Sequence, residues 1–437
     1  MKQNINIIEN KENTDGFVGI KINKEEQIEF YLPLGINKNI DNINKIIFEV
    51  LQSIRVSKKY FNENNLGGEN KKENNFPLWE SIELIKDFFE NGYYIESEKI
   101  YQEKNSGKIN WNKTFKRYLP IYSNNNFIYN KYVVKKNNIN EDNIITKIHQ
   151  YCIYLCSKIV LPLFGVNIKI EKPNIEYNKE LFIQKLKEKR NQTFNDNLRI
   201  KLNIMIDIIE NLNQEGTNFK FNTYGTNKYY YVWEKMLFEL FNCKQDLLKK
   251  YYPFAKWNKL ENRFNVEASK MRPDIIYIDE NNMYIIDAKY YKYGIKPNIR
   301  EIGDENSYTL PGTSDINKQI TYGEYAEYIN KKENLNKQII NLFIIPASLE
   351  DKYIEYLTFA EDSWRKDLYG MDRSYYKIYT IKMDMLFVLE NYLKSTNKDA
   401  LRYIEKINNL INNYLINNYL ENNEKVLKLA EDEEEYM

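Results

Sequence analysis

Two aspartates and a lysine that could do chemistry together lie within one short stretch, residues 271–291 (MRPDIIYIDENNMYIIDAKYY). Asp274 follows a proline at the start of one apolar run, and Asp287 and Lys289 end the next run, with a polar turn at 279–282 between them. This order predicts two strands joined by a turn. Side chains alternate along a strand, so Asp287 and Lys289 share a face, and the turn brings Asp274 beside them.

The chemistry that suits these residues is metal-assisted hydrolysis of a phosphodiester. Two carboxylates that converge on one point repel each other unless a divalent cation lies between them. Such a cation polarises a phosphoryl oxygen and makes a water molecule nucleophilic near neutral pH. We therefore expect Asp274 and Asp287 to ligate Mg²⁺, or Mn²⁺ in its place, while Lys289 orients or deprotonates water and stabilises developing negative charge. The alternative is structural: Asp274 caps a turn, and Asp-x-Lys is a solvated strand end.

The elements around these residues predict an α/β domain. A helix over 229–241 precedes the two strands, a helix over 315–329 follows them, and buried strands are predicted over 338–345 and 375–381. Helices that alternate with strands in this way are typical of a sheet covered by helices. The sheet would hold the catalytic side chains in place.

The first half of the chain is predicted to be mainly helical and to carry a β-hairpin. The hairpin covers 17–34, where Ile28, Phe30 and Leu32 alternate on one face. Helical periodicity marks four segments that begin near residues 41, 77, 143 and 178, the last of which runs to 212. Residues 93–136 are strand-like. Gly216 and its polar neighbours interrupt the helical pattern over 213–222 and mark a domain boundary.

These patterns divide the chain into three parts. Residues 1–220 are predicted to be a domain that engages DNA or a partner. Residues 221–395 are predicted to be the nuclease domain, and 396–437 to be a C-terminal helix with an acidic tail (EDEEEYM).

Composition places the chain in the cytoplasm without defining its substrate. Its 63 Lys and Arg balance 62 Asp and Glu, for a net charge of +1, which still permits a basic groove. Three cysteines give no disulfide framework, so a reducing compartment is expected. The N-terminus lacks the apolar stretch of a signal peptide, and no segment is apolar for long enough to cross a membrane.

Pro273-Asp274 and Asp287-Ala288-Lys289 resemble the PD-(D/E)xK nuclease signature, with Asp in the middle acidic position. Several further segments resemble the LlaJI-type restriction endonucleases, relatives of the McrC nuclease subunit: Trp233-Glu234, 287–291 (DAKYY), 311–319 (PGTSDINKQ), 111–114 (WNKT) and 144–149 (IITKIH). The resemblance spans roughly residues 15–385. It implies a restriction-endonuclease-like core, in which a mixed sheet is flanked by helices.

The same resemblance implies two additional site residues. Glu234 matches an acidic residue on the helix before the sheet that completes the metal site in such folds, although a solvated helix glutamate is an equal alternative. Gln319 matches a glutamine that related nucleases place near the metal-bound water or the phosphate. Some relatives pair it with a tyrosine four residues on, whereas here Tyr322 comes at three and Gly323 at four. We expect Lys318 to be solvated.

The resemblance also implies partners. Proteins related to McrC work with a separate AAA+ GTPase of the McrB type, and this chain has no Walker A sequence of its own. A restriction system further implies double-stranded DNA as substrate, a cognate DNA methyltransferase, and cleavage of both strands by a homodimer or a motor-bridged pair. The N-terminal hairpin, or the C-terminal helix with its acidic tail, would provide the docking element for the GTPase. No membrane partner is expected.

Basic and aromatic residues alternate in the first half, where they could contact DNA bases and phosphates. The residues predicted to bind DNA are Lys113, Lys116, Arg117, Lys135 and Lys136. The alternative is a set of strands with solvated lysines.

His149, Cys152 and Cys156 fall on one side of a helix and invite a zinc site. The chain has no second histidine, and the same positions belong to the apolar face of the helix. We therefore predict a packed core there.

Three functional hypotheses follow. The first is a restriction endonuclease subunit that acts with a GTPase, and the second is a self-sufficient type II restriction enzyme. The third is a catalytically silent module that binds DNA or activates an NTPase, which the intact Asp274, Asp287 and Lys289 argue against. A repair or recombination nuclease shares the same chemistry.

Overall fold

The computed structural model describes residues 5–10, 16–23, 25, 27–58, 76–123, 126–140, 143–260, 263–291 and 310–435, and these form a mixed α+β protein. The chain divides into two compact units. Unit 1 contains Asn75–Tyr224, and unit 2 contains Ile5–Asn74 together with Gly225–Met437. The change of unit at 224 and 225 lies next to the predicted boundary at 220, whereas the N-terminal hairpin belongs to unit 2.

The N-terminal part of unit 2 contains three strands and one helix: β1 (Asn6–Ile8), β2 (Val18–Ile22), β3 (Ile28–Tyr31) and α1 (Ile43–Lys58). Strands β2 and β3 are antiparallel, as the predicted hairpin requires, and β1 lies parallel to β3. Ile28, Phe30 and Leu32 are all buried, so the predicted alternation is confirmed. Part of the turn between the strands, residues 24 and 26, lies outside the described residues.

Unit 1 combines long helices with short strand pairs. In chain order its elements are α2 (Leu78–Asn91), β4 (Glu96–Lys104), α3 (Trp111–Arg117), β5 (Ile121–Ser123), β6 (Asn126–Ile128), β7 (Tyr132–Asn140), α4 (Ile144–Leu163), α5 (Lys179–Gln192) and α6 (Asp196–Glu210). Strand β4 pairs antiparallel with β7, and β5 pairs antiparallel with β6.

Two expectations for this unit were wrong, and local capping explains both. Residues 111–117 form a helix inside the segment predicted to be strand-like, because the Asn110 side chain accepts a hydrogen bond from the Lys113 backbone at 3.0 Å. The helix predicted over 178–212 is two helices. Asn195 begins the second by accepting a hydrogen bond from the Leu198 backbone at 3.1 Å.

The core of unit 1 contains the three residues that invited a zinc site. His149, Cys152 and Cys156 are fully buried on helix α4, and both cysteines belong to the hydrophobic cluster between the helices. The Tyr94 backbone donates a hydrogen bond to His149 Nδ1 at 2.9 Å, and burial lowers the pKa of His149 to about 4. The predicted packed core is confirmed.

The larger part of unit 2 follows residue 224. Its elements, with the strand that contains the boundary placed first, are β8 (Thr223–Thr226), α7 (Tyr229–Leu240), α8 (Gln245–Lys250), β9 (Lys256–Leu260), β10 (Arg263–Glu267), β11 (Ile275–Ile278), β12 (Asn282–Ala288), α9 (Thr313–Lys332), β13 (Gln338–Ala347), β14 (Ile354–Glu361), α10 (Ser363–Tyr369), a 3₁₀ turn (Ser374–Tyr376), β15 (Lys377–Asp384), α11 (Met385–Asn391) and α12 (Asn397–Glu435).

The central sheet of unit 2 has five strands in the order β11-β12-β13-β15-β14. The three inner strands are parallel, and both edge strands run antiparallel to their neighbours. Strands β12 and β13 are almost wholly buried, which fits their nearly continuous apolar sequences. Helix α9 connects these two strands as a parallel crossover. The sheet therefore fixes the end of β12, where Asp287 lies.

The described part of the chain contains no helix that combines the length and the apolar composition needed to cross a membrane.

Candidate active site

Asp274 and Asp287 lie side by side at one end of the hairpin formed by β11 and β12. The two strands pair from Ile278 opposite Met283 to Ile275 opposite Ile286, and the next positions along them are the two aspartates. The backbone N–H of Ala288 donates a hydrogen bond to Asp274 Oδ2 at 2.8 Å. The pairing register thus brings the two carboxyls together, as the alternation of side chains suggested.

Lys289 extends its amine between two carboxylates. Lys289 Nζ lies 2.6 Å from Asp287 Oδ2 and 2.7 Å from Asp315 Oδ1, and only 12% of its side chain is exposed. Burial on its own lowers the pKa of Lys289, but the two carboxylates outweigh it and hold that pKa above its usual range. The amine is therefore a charged donor to both neighbours.

Glu234 approaches the same cluster from helix α7. The neighbouring Trp233 is buried, and its indole N–H donates to the carbonyl oxygen of Ile344 at 3.3 Å, which fixes the helix against strand β13. Burial and the charge of Asp287 raise the pKa of Glu234 to about 7. Burial, followed by the charges of Asp287 and Glu234, raises the pKa of Asp274 well above its usual range. Three carboxyls therefore repel one another here.

The carboxyl groups suit a hard cation in their donor chemistry. Asp274, Asp287 and Glu234 provide the oxygen ligands that Mg²⁺ prefers, and a divalent cation would relieve the repulsion that raises two of their pKa values. Among the described residues, no three acidic, histidine or cysteine side chains stand arranged as a finished metal cage. The charged amine of Lys289 lies 2.6 Å from Asp287 Oδ2 and offsets part of the negative charge of the cluster.

Lys318 faces the cluster from the solvent side. Its Nζ lies 3.8 Å from Asp287 Oδ1, and 41% of its side chain is exposed. Lys318 is therefore partly exposed to solvent, and its amine also lies close to the carboxyl cluster. A second positive charge next to Asp287 also lowers the cost of ionising the carboxyls around it.

Gln319 is buried, and its side-chain amide bonds the backbone of the sheet. Its side-chain amide donates to the carbonyl oxygen of Ile285 at 2.7 Å, and Asn341 Nδ2 donates to the Gln319 backbone carbonyl at 3.2 Å. These bonds attach helix α9 to strands β12 and β13. The structure therefore brings Asp274, Asp287, Lys289 and Glu234 together, and it binds the Gln319 amide to the backbone of the sheet.

The missing tyrosine four residues after Gln319 has a steric cause. Position 323 is glycine because a Cβ there would lie 2.7 Å from the Tyr375 Cβ and 2.9 Å from Asn341 Nδ2. Tyr322, one residue earlier, is buried, and its hydroxyl donates to the carbonyl oxygen of Arg272 at 2.7 Å. It thereby anchors the chain just before Asp274.

The residues predicted to contact DNA lie in unit 1. Lys113, Lys116 and Arg117 are exposed on helix α3, and Lys136 is exposed on strand β7, whereas Lys135 is half-buried. Arg117 forms an ion pair with Glu103 at 2.8 Å. The Lys113 amine lies 3.3 Å from the centre of the Tyr101 ring.

Asp315 is the site residue to which the sequence analysis gave no role. It lies in the first turn of helix α9, three residues after the Gly312 cap, and its contact with Lys289 spans 26 residues of sequence. The one available signal was its position in the segment 311–319 that carries the family resemblance. That signal singles out Asp315 but does not show that its carboxylate contacts Lys289.

The sequence model of the LlaJI restriction endonuclease family matches residues 17–361 of this chain. A protein of Bacillus subtilis (strain 168), the type II restriction enzyme BsuMI component YdjA, is 26% identical over 364 residues, covering 76% of this chain and 72% of that protein.

Two solved structures are also similar. A half-complex of Thermococcus gammatolerans McrB AAA+ hexamers with bound McrC has 14% identity and a TM-score of 0.34, over 90% of this chain and 82% of its own. The McrBC complex of the same organism has 14% identity and a TM-score of 0.20, over 51% and 66%. TM-scores this low do not establish a shared fold. The match over most of the sequence does establish a family: this chain belongs to the LlaJI restriction endonucleases.

Proposed function

We propose that this chain is the DNA-cleaving subunit of a restriction system and hydrolyses phosphodiester bonds with Mg²⁺. The observation that carries the proposal is the meeting of Asp274 and Asp287 at paired strand ends with the Lys289 amine 2.6 Å from Asp287. Two aspartates and a lysine held at the strand ends of a buried sheet form the kind of preorganised site that hydrolysis requires. This core would be of the PD-(D/E)xK type.

Asp274, Asp287 and Glu234 would hold the cation, and Mn²⁺ would serve in its place. When bound, the cation supplies a polarised phosphoryl oxygen and a nucleophilic water. The protein contributes a buried floor beneath these carboxyls, because Ile285 and Ile286 are fully buried on strand β12. The Ala288 backbone N–H holds one Asp274 oxygen, which leaves the other oxygen free to orient toward a ligand.

Lys289 would stabilise the negative charge that develops on the phosphoryl oxygens and orient the attacking water. Its two carboxylate neighbours keep the amine protonated, so it acts as a donor in this arrangement. Asp315 would position the amine. Lys318, which is partly exposed beside Asp287, would offer a further positive charge to the phosphate that enters the site.

The family and the sequence resemblance to McrC support a proposal for the wider system. Residues 221–395 would cut double-stranded DNA, residues 1–220 would engage DNA or a partner, and the C-terminal helix from 396 would be available for docking. An AAA+ GTPase of the McrB type would be the partner of this chain. Cutting both strands would need two sites, from a homodimer or a motor-bridged pair, and a cognate methyltransferase would protect the host DNA.

A self-sufficient type II restriction enzyme is the second candidate. It is favoured by the relative from Bacillus subtilis, which is described as a type II enzyme, although as one component of it. Both candidates use the same active site. They differ in whether the chain cuts DNA without nucleotide or partner.

Plasmid cleavage with and without a GTPase partner separates these candidates. Supercoiled plasmid is incubated with the purified chain and Mg²⁺, alone or with the GTPase and GTP. Cutting that requires the GTPase and GTP supports the subunit, whereas equal cutting by the chain alone supports the self-sufficient enzyme. If the chain binds DNA or the GTPase but cuts no plasmid under any condition, it is a silent module and the proposal is wrong.

A further inference from the structure

Positive charge is concentrated in one segment of unit 1, residues 96–140, which we name the basic arm. It contains nine Lys and Arg against three Glu, a net charge of +6, whereas the whole chain carries only +1. Strands β4 and β7 pair with each other, and helix α3 and the β5–β6 hairpin lie between them in the sequence. A local excess of this size attracts polyanions.

The basic arm also exposes aromatic rings that proteins usually bury. Trp111 and Phe115 on helix α3 are 48% and 57% exposed, and Tyr122 and Phe127 on the β5–β6 hairpin are 63% and 70% exposed. The rings form two groups. The Trp111 and Phe115 centroids are 5.6 Å apart, and those of Tyr122 and Phe127 are 5.5 Å apart. Exposed apolar groups that cluster in this way mark a binding surface.

The aromatic rings are carried by a defined framework. Thr114 is fully buried, and its hydroxyl donates to the Asn110 carbonyl at 2.9 Å and accepts from the Val133 backbone at 3.0 Å. Gly107 has a φ of +124°, and a Cβ there would lie 2.6 Å from the Val134 Cγ1. Helix α3 is therefore anchored to strand β7, and its outer face presents Trp111 and Phe115 one helical turn apart.

Cations and aromatic rings lie close together in the sequence of helix α3. Lys113, Lys116 and Arg117 lie on the same short helix as Trp111 and Phe115. Surfaces that bind unpaired nucleotides have this composition, because the cations meet phosphates while the rings stack on bases of any sequence. In a duplex the base faces are covered by neighbouring bases, so such rings can stack only on a base that is unpaired or turned out of the helix.

We propose that the basic arm binds DNA by stacking an unpaired or extruded base on the Trp111–Phe115 rings while its lysines contact the flanking phosphates. The proposal rests on the proposed function in taking DNA as the substrate. It adds a class of contact, base stacking without sequence readout, and it assigns that contact to the basic arm.

The test uses the full chain in EDTA, so that no cleavage interferes. Two fluorescent duplexes are compared, one with a single unpaired 2-aminopurine and one fully paired. Phe115→Ala should weaken binding of the unpaired probe about 5-fold to 100-fold and abolish the quenching of 2-aminopurine. Phe115→Tyr should retain both, since the ring remains. Phe194→Ala is the matched control, because Phe194 is 96% exposed in the same unit but lies outside the basic arm.

A salt titration tests the phosphate contacts separately. Lys116→Ala should lower the slope of log affinity against log salt by about 0.7 to 0.9 for both probes. Thermal melting checks that each variant is folded, and Trp111→Ala serves as a second variant if Phe115→Ala is not.

Two outcomes would overturn the inference. If folded Phe115→Ala and Trp111→Ala bind the unpaired probe as tightly as the wild type, the rings serve another partner, such as a protein. If they lose the paired and unpaired probes equally, the basic arm binds the backbone without stacking. Mg²⁺-dependent plasmid nicking by the wild type would leave the proposed function intact in either case, whereas a wild type that neither binds nor nicks DNA would refute both.

Discussion

Replacing Glu234 by Gln removes a carboxyl whose ionisation the surrounding protein opposes. Burial and the charge of Asp287 raise the pKa of Glu234 from an ordinary 4.5 to about 7. The folded protein therefore holds this proton more tightly than the unfolded chain does. It follows that the wild type loses stability as the pH rises from about 4.5 to about 7, by on the order of 3 kcal/mol in total.

Thermal unfolding of wild type and Glu234→Gln in EDTA, between pH 5 and pH 8, measures this effect. Gln is neutral at every pH, and wild-type Glu234 is protonated at pH 5, so the two melting temperatures should be similar there. At pH 8 the variant should melt higher by roughly 5 to 10 °C. Adding Mg²⁺ at pH 8 should then stabilise the wild type more than the variant, because a bound cation favours the ionised carboxyl.

Glu280→Gln is the matched control, since it removes an exposed carboxyl from the same unit. A Glu234→Gln difference that is equal at pH 5 and pH 8 would refute the reasoning, and so would a wild type that melts higher than the variant at pH 8. Either result would mean that Glu234 does not share the repulsive environment of Asp274 and Asp287.

Three further predictions concern Asp315, Gln319 and the buried cysteines. Asp315→Ala should slow single-turnover cleavage about 10- to 100-fold, because Lys289 loses a partner at 2.7 Å. Asp315→Asn should slow cleavage less, and unchanged rates in both variants would show that Lys289 is held without this contact. Gln319→Leu should lower the free energy of unfolding in urea by about 1–3 kcal/mol, since the Gln319 amide bonds the backbone of the sheet. A variant that is fully stable but inactive would instead show that Gln319 takes part in the reaction. Treatment with a zinc chelator should leave the melting temperature unchanged, because Cys152 and Cys156 are core residues; a clear drop would identify them as metal ligands.

The strands that hold the site could be predicted from the sequence because they are short, apolar and separated by a polar turn. Strand β12 is buried along almost its whole length, so its composition alone distinguishes it from a surface strand. The pairing of Ile275 with Ile286 then follows from the turn length, and it places Asp274 next to Asp287. Local pattern was sufficient there.

Edge elements could not be predicted in the same way. Strand β14 lies at the edge of the sheet, and most of its residues are only partly buried, so its sequence shows neither a continuous apolar run nor a clear alternation. Helix α3 has seven residues and begins at an asparagine cap, within a segment whose aromatic residues favour strands. In both places the tertiary environment outweighed composition.

The contacts that site residues make with distant parts of the chain could not be predicted either, for a different reason. The bond between Lys289 and Asp315 depends on how helix α9 begins beside the end of strand β12, which no spacing rule specifies. The close approach at Gly323 likewise depends on Tyr375 and Asn341, which belong to later parts of the chain. The orientation of Gln319 toward the sheet follows from the same packing.

Cleavage of supercoiled plasmid by wild type, Lys289→Ala and Lys394→Ala, each in Mg²⁺ and in EDTA, tests the central claim most directly. Lys394 is an exposed lysine of the same unit, so its variant controls for the loss of one positive charge. All lanes are repeated with a GTPase partner and GTP, which covers a requirement for activation. We predict Mg²⁺-dependent nicking or linearisation by wild type and Lys394→Ala that is lost in Lys289→Ala. Cutting by Lys289→Ala at the wild-type rate, or by the wild type in EDTA, would contradict the assignment of this site.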